Sequence, residues 1–497
     1  MIGFAEYRAY DAIGLAQLVR QRDVSSAELA DVALAAIERL NPQLNAVIRI
    51  IDGRARTLAG ADHLTPEALF RGVPFLLKDS GVSVASVPTE YGSRYFKGYT
   101  RPYDSEIVRR YKQAGFAILG KTNLSELGSS CSCETMATAT MHNPWDLNRI
   151  PGISSGGSAA AVAAGLVPAA YATDAGGSIR GPAAWCGLVG LKPSRGRMTY
   201  APDAGEQWSG LATQHVVTRT VRDSAAILDC TAGSVAGDPY CAPPPERNFL
   251  TEVTSNPGSL RIGFSATGPN GKPFEAETRA GLLRCAKILE ELGHRVEEVS
   301  PHWDHALIGE IMGCVAACAV TELVTRHERE TGIEPSSDNL EHTNVTLLAM
   351  GRRLSAFDLL AAREKINRVS RSFAAFFDTH DIWLTPTMGD VAPPVGYLDS
   401  NSPDVTLLLQ RFSEFYRFNS VYNVSGLPAI TLPLHSSDLG LPIGMMFGAG
   451  YGKEGVLFRL AGQLERAADW SDNIRLTAYG ASKLKNRGAE PHICCTA

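Results

Sequence analysis

The chain is short of the residues that would place it in several broad classes. Ten cysteines in 497 residues are too few for a disulfide scaffold, and none form a CxxC pair. Cys131 and Cys133 are one residue apart and Cys494 and Cys495 are adjacent, spacings that suit neither a zinc ribbon nor a thioredoxin-like site. Free thiols in a reducing compartment are therefore expected. A basic excess is missing too: 47 Lys and Arg against 52 Asp and Glu leave a net charge of −5. That balance gives no electrostatic footprint for nucleic acid or for an anionic membrane surface. Residues 1–20 hold no basic segment running into an apolar one, as a signal peptide would, and a cytoplasmic location is expected. Internal repeats and low-complexity tracts are absent as well.

What is present is ordinary soluble-globular composition, with 44% hydrophobic, 20% charged and 8% aromatic residues. It excludes a mainly disordered, collagen-like or coiled-coil chain. One stretch, residues 150–173, runs 24 positions without a charge. It is built from Ala, Gly and Ser and contains Pro151 and Pro168, so it suits tight packing inside a protein better than lipid.

Strand-like and helix-like segments alternate, which argues for an α/β fold. Ser25 and Glu28 form a capping-box pattern, and the helix they open is expected to end at Asn41-Pro42. Apolar runs at 73–77, 116–119 and 169–173 read as strands, with a small-residue helix after Ser158. Strands are also expected at 260–264, 382–385, 429–434 and 443–447. The length suggests about three domains, yet no linker divides the chain. A single domain over 1–497 is expected. It would comprise N-terminal helices at 1–65, a core at 66–235, a helical region at about 300–380, C-terminal strands and helices at 381–475 and a peripheral tail at 476–497.

Three motifs compete for the function. GFAILGKT at 115–122 matches the Walker A pattern letter for letter. A phosphate loop needs a strand before the first glycine and an open turn after it. Here a charged helix precedes Gly115 and the four variable positions are themselves the apolar strand, which leaves Lys121 as a polar residue at a strand end. GISSG at 152–156 matches the GxSxG nucleophile elbow, but the upstream segment 143–149 reads as a loop rather than the strand an elbow requires.

The third constellation is PGISSGGS at 151–158 with DAGGSIRGP at 174–182, preceded by Lys78 at the end of an apolar run. A serine hydroxyl is a poor nucleophile until a base takes its proton. The tetrahedral intermediate of amide hydrolysis needs backbone N–H donors around its oxygen, and successive amides converge most readily where side chains are absent. With the histidines in no distinctive setting, a buried lysine is the available base. Its pKa, ordinarily about 10.4, must fall by several units through desolvation.

At these residues the sequence resembles the amidase signature family. The likeness extends over GVPFLLKD at 72–79, GKTN at 120–123, NPW at 143–145, the Ser-Ser-Gly-Gly run, residues 174–182, CGLVGLKP at 186–193 and GLPAI at 426–430. It covers the chain from about 15 to 464 and accounts for the GKT match. The resemblance implies an α/β amidase-signature fold, a large mixed β-sheet core flanked by helices on both faces. It also implies a Ser–cis-Ser–Lys triad: Ser178 as nucleophile, Ser154 as the bridging serine and Lys78 as the base. The amides of Ala175, Gly176, Gly177 and Ser178 would hold the oxyanion, with no metal and no cofactor. Asp174 and Arg180 match family positions read as scaffold. One departure is Ile153, where the family usually has a small residue.

The segments GDPYCAP at 237–243 and NPGSL at 256–260 are more similar to the branch of 6-aminohexanoate-cyclic-dimer hydrolases. By that likeness Gly128, Ser129, Ser130 and Cys131 line the acyl pocket and Cys314 faces the substrate. The implied activity is hydrolysis of small or oligomeric amides through an acyl-enzyme, with esters or carbamates open to the same chemistry. The implied partner is a small molecule, with no nucleic acid and no membrane, acting in a monomer or homodimer. Two other readings stay open: an amidotransferase A-type subunit working with partner chains, and a non-catalytic binding protein on the same fold.

Overall fold

A computed structural model of the chain describes residues 2–51, 68–468 and 470. The end of the expected N-terminal helical segment and the first two residues of the expected core (together 52–67), and the tail at 476–497, with Cys494 and Cys495, lie outside the described residues.

The first long helix, Ser26–Leu44, starts as its sequence requires. Glu28 N–H donates to Ser25 Oγ (3.1 Å), and Ser25 N–H donates back to the Glu28 carboxylate (2.8 Å). The expected stop at Asn41-Pro42 is corrected, because Pro42 lies inside the helix. Proline loses its own N–H bond and crowds the carbonyl four residues back, yet the helix continues for two more residues, with Leu40 and Leu44 buried in the core. The chain turns off at Asn45, whose φ is 49° and whose N–H donates to Asn41.

The strands, in chain order, are β1 (Val47–Ile50), β2 (Pro74–Lys78), β3 (Ala117–Thr122), β4 (Glu134–Thr135), β5 (Ala139–Thr140), β6 (Ala169–Asp174) and β7 (Val189–Lys192). They continue as β8 (Thr213–Thr218), β9 (Arg261–Phe264), β10 (Arg295–Glu298), β11 (Ile382–Pro386), β12 (Ala429–Ser436) and β13 (Pro442–Gly448). Eleven of them form one mixed sheet in the order β1-β3-β2-β6-β8-β7-β12-β13-β11-β9-β10, and β4 and β5 form a separate hairpin. β2 is parallel to both β3 and β6, whereas β6, β8 and β7 run antiparallel in succession. Every residue of β2, β3, β7, β8, β11 and β13 is buried, on both faces alike. This is the pattern of a sheet covered on both sides, which reads in sequence as continuous apolar runs rather than alternation.

The uncharged stretch contributes the helix Gly156–Ala163, all eight residues of which are buried, and the strand β6. The Walker-like segment is a helix end followed by β3. Gly115 caps Glu106–Ala114 at φ +101°, and β3 is fully buried. Lys121, near the end of β3, is buried, 3.6 Å from the Asp79 carboxylate, and donates to Thr89 Oγ1 at 3.0 Å.

The expected helical region holds three helices, His305–Thr331, His342–Gly351 and Ala356–Phe376, the latter two each packed on the first. His305–Thr331 is long and apolar enough, by length and composition, to cross a membrane, and 33% of its most apolar window is buried. Besides the main core there is a satellite cluster that includes Cys131, Cys133, Ile153, Trp185, Met388, Phe415 and Tyr416. A third joins Tyr95, Phe96 and Leu127 to Val320, Val324, Leu340 and Leu348.

Candidate active site

β2 ends at Lys78, whose side chain is fully buried. Beside it run the turn before helix Gly156–Ala163, carrying Ser154 and Ser155, and the end of β6, carrying Thr173. Lys78 Nζ lies 2.7 Å from Ser154 Oγ, 3.0 Å from Ser155 Oγ and 2.8 Å from Thr173 Oγ1. Burial pushes the amine down from the usual lysine range to about 7, against the pull of the Asp174 carboxylate, which favours the charge.

A neutral amine has two N–H donors and one lone pair, so three hydroxyls around it cannot all accept. The Ser155 hydroxyl donates to the Thr173 carbonyl oxygen at 3.2 Å. A hydrogen for the lone pair is left to Ser154 or Thr173.

The second turn leaves β6 at Asp174, passes Ala175–Ser178 and enters the helix Arg180–Cys186. Asp174 organises it. Its carboxylate accepts the N–H of Gly177 (2.8 Å) and of Ile179 (3.2 Å), and Arg180 donates to it through Nε and Nη2 (both 2.9 Å). Asn423 donates to both its side chain and its backbone oxygen. Burial alone would raise this carboxyl's pKa, but the Arg180 charge and the hydrogen bonds hold it well below the carboxylate range. Asp174 and Arg180 are both fully buried, so they serve as scaffold beneath the turn. Since the Gly177 N–H is occupied by Asp174, the amides left to meet a ligand are those of Ala175, Gly176 and Ser178. Among the described hydrogen bonds none involves the Ser178 hydroxyl.

Both turns are closely packed at their glycines. At Gly152 (φ +123°) a Cβ would lie 2.4 Å from Cα of Pro182, in the helix that follows the second turn, and at Gly177 (φ +124°) it would lie 2.7 Å from Asn419 Cβ. The peptide between Ile153 and Ser154 is cis, as the resemblance implies. The unusual Ile153 side chain packs into the satellite cluster.

Ser154, Ser178, Thr173 and Ala175 line a cavity of about 470 Å³. The residues expected to line the acyl pocket fall in different places. Gly128 is on the wall, where a Cβ would stand 3.6 Å from Ser154 Oγ. Ser129 and Ser130 instead tie their loop to the helical region: Ser129 Oγ donates to Asn344 Oδ1 (2.6 Å) and Ser130 Oγ to Glu341 Oε2 (2.7 Å). Cys131 is buried in the satellite cluster. Cys314 is off the cavity, whereas Cys318, one helical turn along, lines it with Ala319, Glu322 and Arg326.

The sequence reading did not single out Ser155 and Thr173 as site residues. A second hydroxyl beside Ser154 was a signal for the first, but Thr173 looks like any strand residue. Among the described residues all cysteines are free, and no group of three or more His, Cys, Asp or Glu is placed to hold a metal ion.

A family profile described as Amidase matches residues 28–458. Over 473 residues the chain is 34% identical to a 6-aminohexanoate-cyclic-dimer hydrolase from a Pseudomonas species, covering 93% of this chain and 95% of that one. The hydrolase of the same name from Paenarthrobacter ureafaciens is also 34% identical over 473 residues, with the same coverage. The solved structure of a 6-aminohexanoate cyclic dimer hydrolase complexed with substrate matches at a TM-score of 0.88 and 33% identity, covering 93% of this chain and 98% of that chain.

Proposed function

The chain belongs to the amidase signature family of amide C–N hydrolases, and from that premise we propose that it is a serine amidase working through an acyl-enzyme at Ser178. In this reading neutral Lys78 draws a proton through Ser154 as Ser178 Oγ attacks the amide carbon. The N–H groups of Ala175, Gly176 and Ser178 take the charge that develops on the carbonyl oxygen. The relay then returns its proton to the leaving amine, which amides need because an amine anion leaves very poorly. Water attacks the acyl-enzyme, Ser178 leaves as the alcohol and the acid is released.

The observation that carries this reading is the buried amine of Lys78, held among three hydroxyls with a pKa about 7. A base is most effective when its pKa lies near the working pH. The cavity's size and mixed polar and apolar lining support small or oligomeric amides as substrates, in the likeness of the cyclic-dimer hydrolases. Esters and carbamates enter the same addition–elimination scheme.

The test is a panel of amides, esters and carbamates incubated with purified protein and read by product mass. At least one amide should give its acid and amine, and Ser178→Ala should abolish that product. An enzyme that stays fully active as Ser178→Ala would overturn the reading, and a wild-type protein inert on the whole panel would favour a binding or partner-dependent role.

A further inference from the structure

The helix Val405–Phe415 ends at Tyr416, a residue with no motif around it and 6% exposure. Its hydroxyl accepts the N–H of Ile153 at 3.2 Å and donates to the carbonyl oxygen of the same residue at 2.9 Å. Both bonds fall one position before Ser154. The same side chain also lies against the second turn and the start of the helix that follows it. A Cβ on Gly177 would come within 2.9 Å of Tyr416 Cδ1, and one on Gly181 within 2.7 Å of its hydroxyl oxygen. The ring itself is fixed by stacking on Phe412, 4.4 Å between centroids, and by an edge contact with Trp185 at 5.9 Å.

One side chain therefore contacts the backbone of both serine-bearing turns. We propose that Tyr416 is a positioning residue that sets the separation and orientation of Ser154 relative to Ser178. This rests on the reading of those serines as relay and nucleophile. The physical reason is that neither turn carries a regular backbone ladder to the other. Their register has to come from shared contacts, and small displacements of reacting groups are costly in rate. Removing the hydroxyl orphans a buried N–H and a buried C=O at Ile153, and frees the Ser154 turn to shift against Gly177 without removing any reacting atom.

The experiment compares Tyr416→Phe with Tyr7→Phe, using one amide found to be a substrate. Tyr7 is buried in the main core, outside the cavity lining and the satellite cluster, and its hydroxyl likewise donates a buried bond to a backbone carbonyl, Leu166 O at 3.1 Å. Tyr416→Phe should lower kcat about tenfold with KM within about twofold, the signature of an interaction that matters in the transition state. Tyr7→Phe should leave kcat within about twofold. An unchanged kcat in Tyr416→Phe would overturn the proposal. So would an equal fall in both variants, or loss of soluble protein as Tyr416→Phe, since each assigns the ring to packing alone. Failure of the acyl-enzyme reading would show separately, as activity surviving Ser178→Ala.

Discussion

The floor and the wall of the cavity are built by different rules. The floor comprises Lys78, Ser154, Thr173 and the 175–178 turn, supplied by β2, β6 and the two turns beside them. Where its backbone needs φ > 0 it uses glycine, at Gly152 and Gly177. The wall takes Cys318, Glu322 and Arg326 from the helix His305–Thr331 and Trp208 from a loop. Where the wall needs φ > 0 it uses glycine at Gly81 (78°) and Gly128 (70°), but ordinary side chains as well: Tyr91 at 54°, Leu127 at 54°, Trp208 at 53° and Ser209 at 50°. Non-glycine residues in this region are uncommon and cost energy that surrounding packing must supply. Leu127 shows the source, since it is packed in the cluster with Phe96, Val320 and Val324. Chemistry fixes residue types at the floor, while the wall needs only shape, which many residues can provide.

The contrast predicts large effects at the floor and selective ones at the wall. Ser178→Ala should lower kcat by about 10⁴-fold or more with the fold retained, checked by amide turnover beside a melting curve. Lys78→Ala should cost about 10³-fold or more, carried by kcat with substrate binding largely intact, and steady-state kinetics on the same amide reads that split. Acidification should act through the same group. Burial lowers the Lys78 pKa to about 7, and the neutral amine is the base, so activity is lost as pH falls through about 7. kcat/KM should therefore drop close to tenfold per pH unit below that point and level off above it. A flat profile from pH 5 to 9 would remove Lys78 from the role.

Asp174→Asn tests the support beneath the floor. It leaves Arg180 buried without its counter-charge, for which about 3–5 kcal/mol of destabilisation is expected in denaturant unfolding. At the wall, Cys318→Phe should raise KM for bulky amides several-fold and leave kcat for the smallest one little changed. Cys314→Phe should do neither. Equal effects from the two cysteines would erase the distinction between a residue on the cavity and its neighbour one turn away.

The same contrast explains what could be read without coordinates. Lys78, Ser154 and Ser178 stand in runs whose Gly and Ser content has a mechanical reason, so their spacing pointed to amide chemistry. Seven of the eleven sheet strands were legible as apolar runs, with ends displaced by a few residues, whereas β1, β7, β8 and β10, which are short or carry polar residues, were not singled out. Pro42 misled because tertiary burial of Leu44 outweighed one lost hydrogen bond. Lys121 was legible as a strand-end residue but not as a buried one, because its partners, Asp79 and Thr89, lie far away along the chain. The wall was poorly legible for the same reason: Ser129 and Ser130 have the right neighbourhood but spend their hydroxyls on Asn344 and Glu341. Cys314 sits one helical turn from the residue that does face the cavity. Tyr416 gave no sequence signal, since its contacts with Ile153 and Gly177 span more than 230 positions.

The central claim is a covalent acyl group on Ser178. The direct measurement mixes the protein with an ester or amide substrate, quenches it in acid within the first turnover and maps the added mass by peptide mass spectrometry. The account predicts the acyl mass on the peptide containing Ser178 and on no other, and its disappearance as product forms. Turnover with no adduct on Ser178, or an adduct on Ser154 in its place, would contradict it.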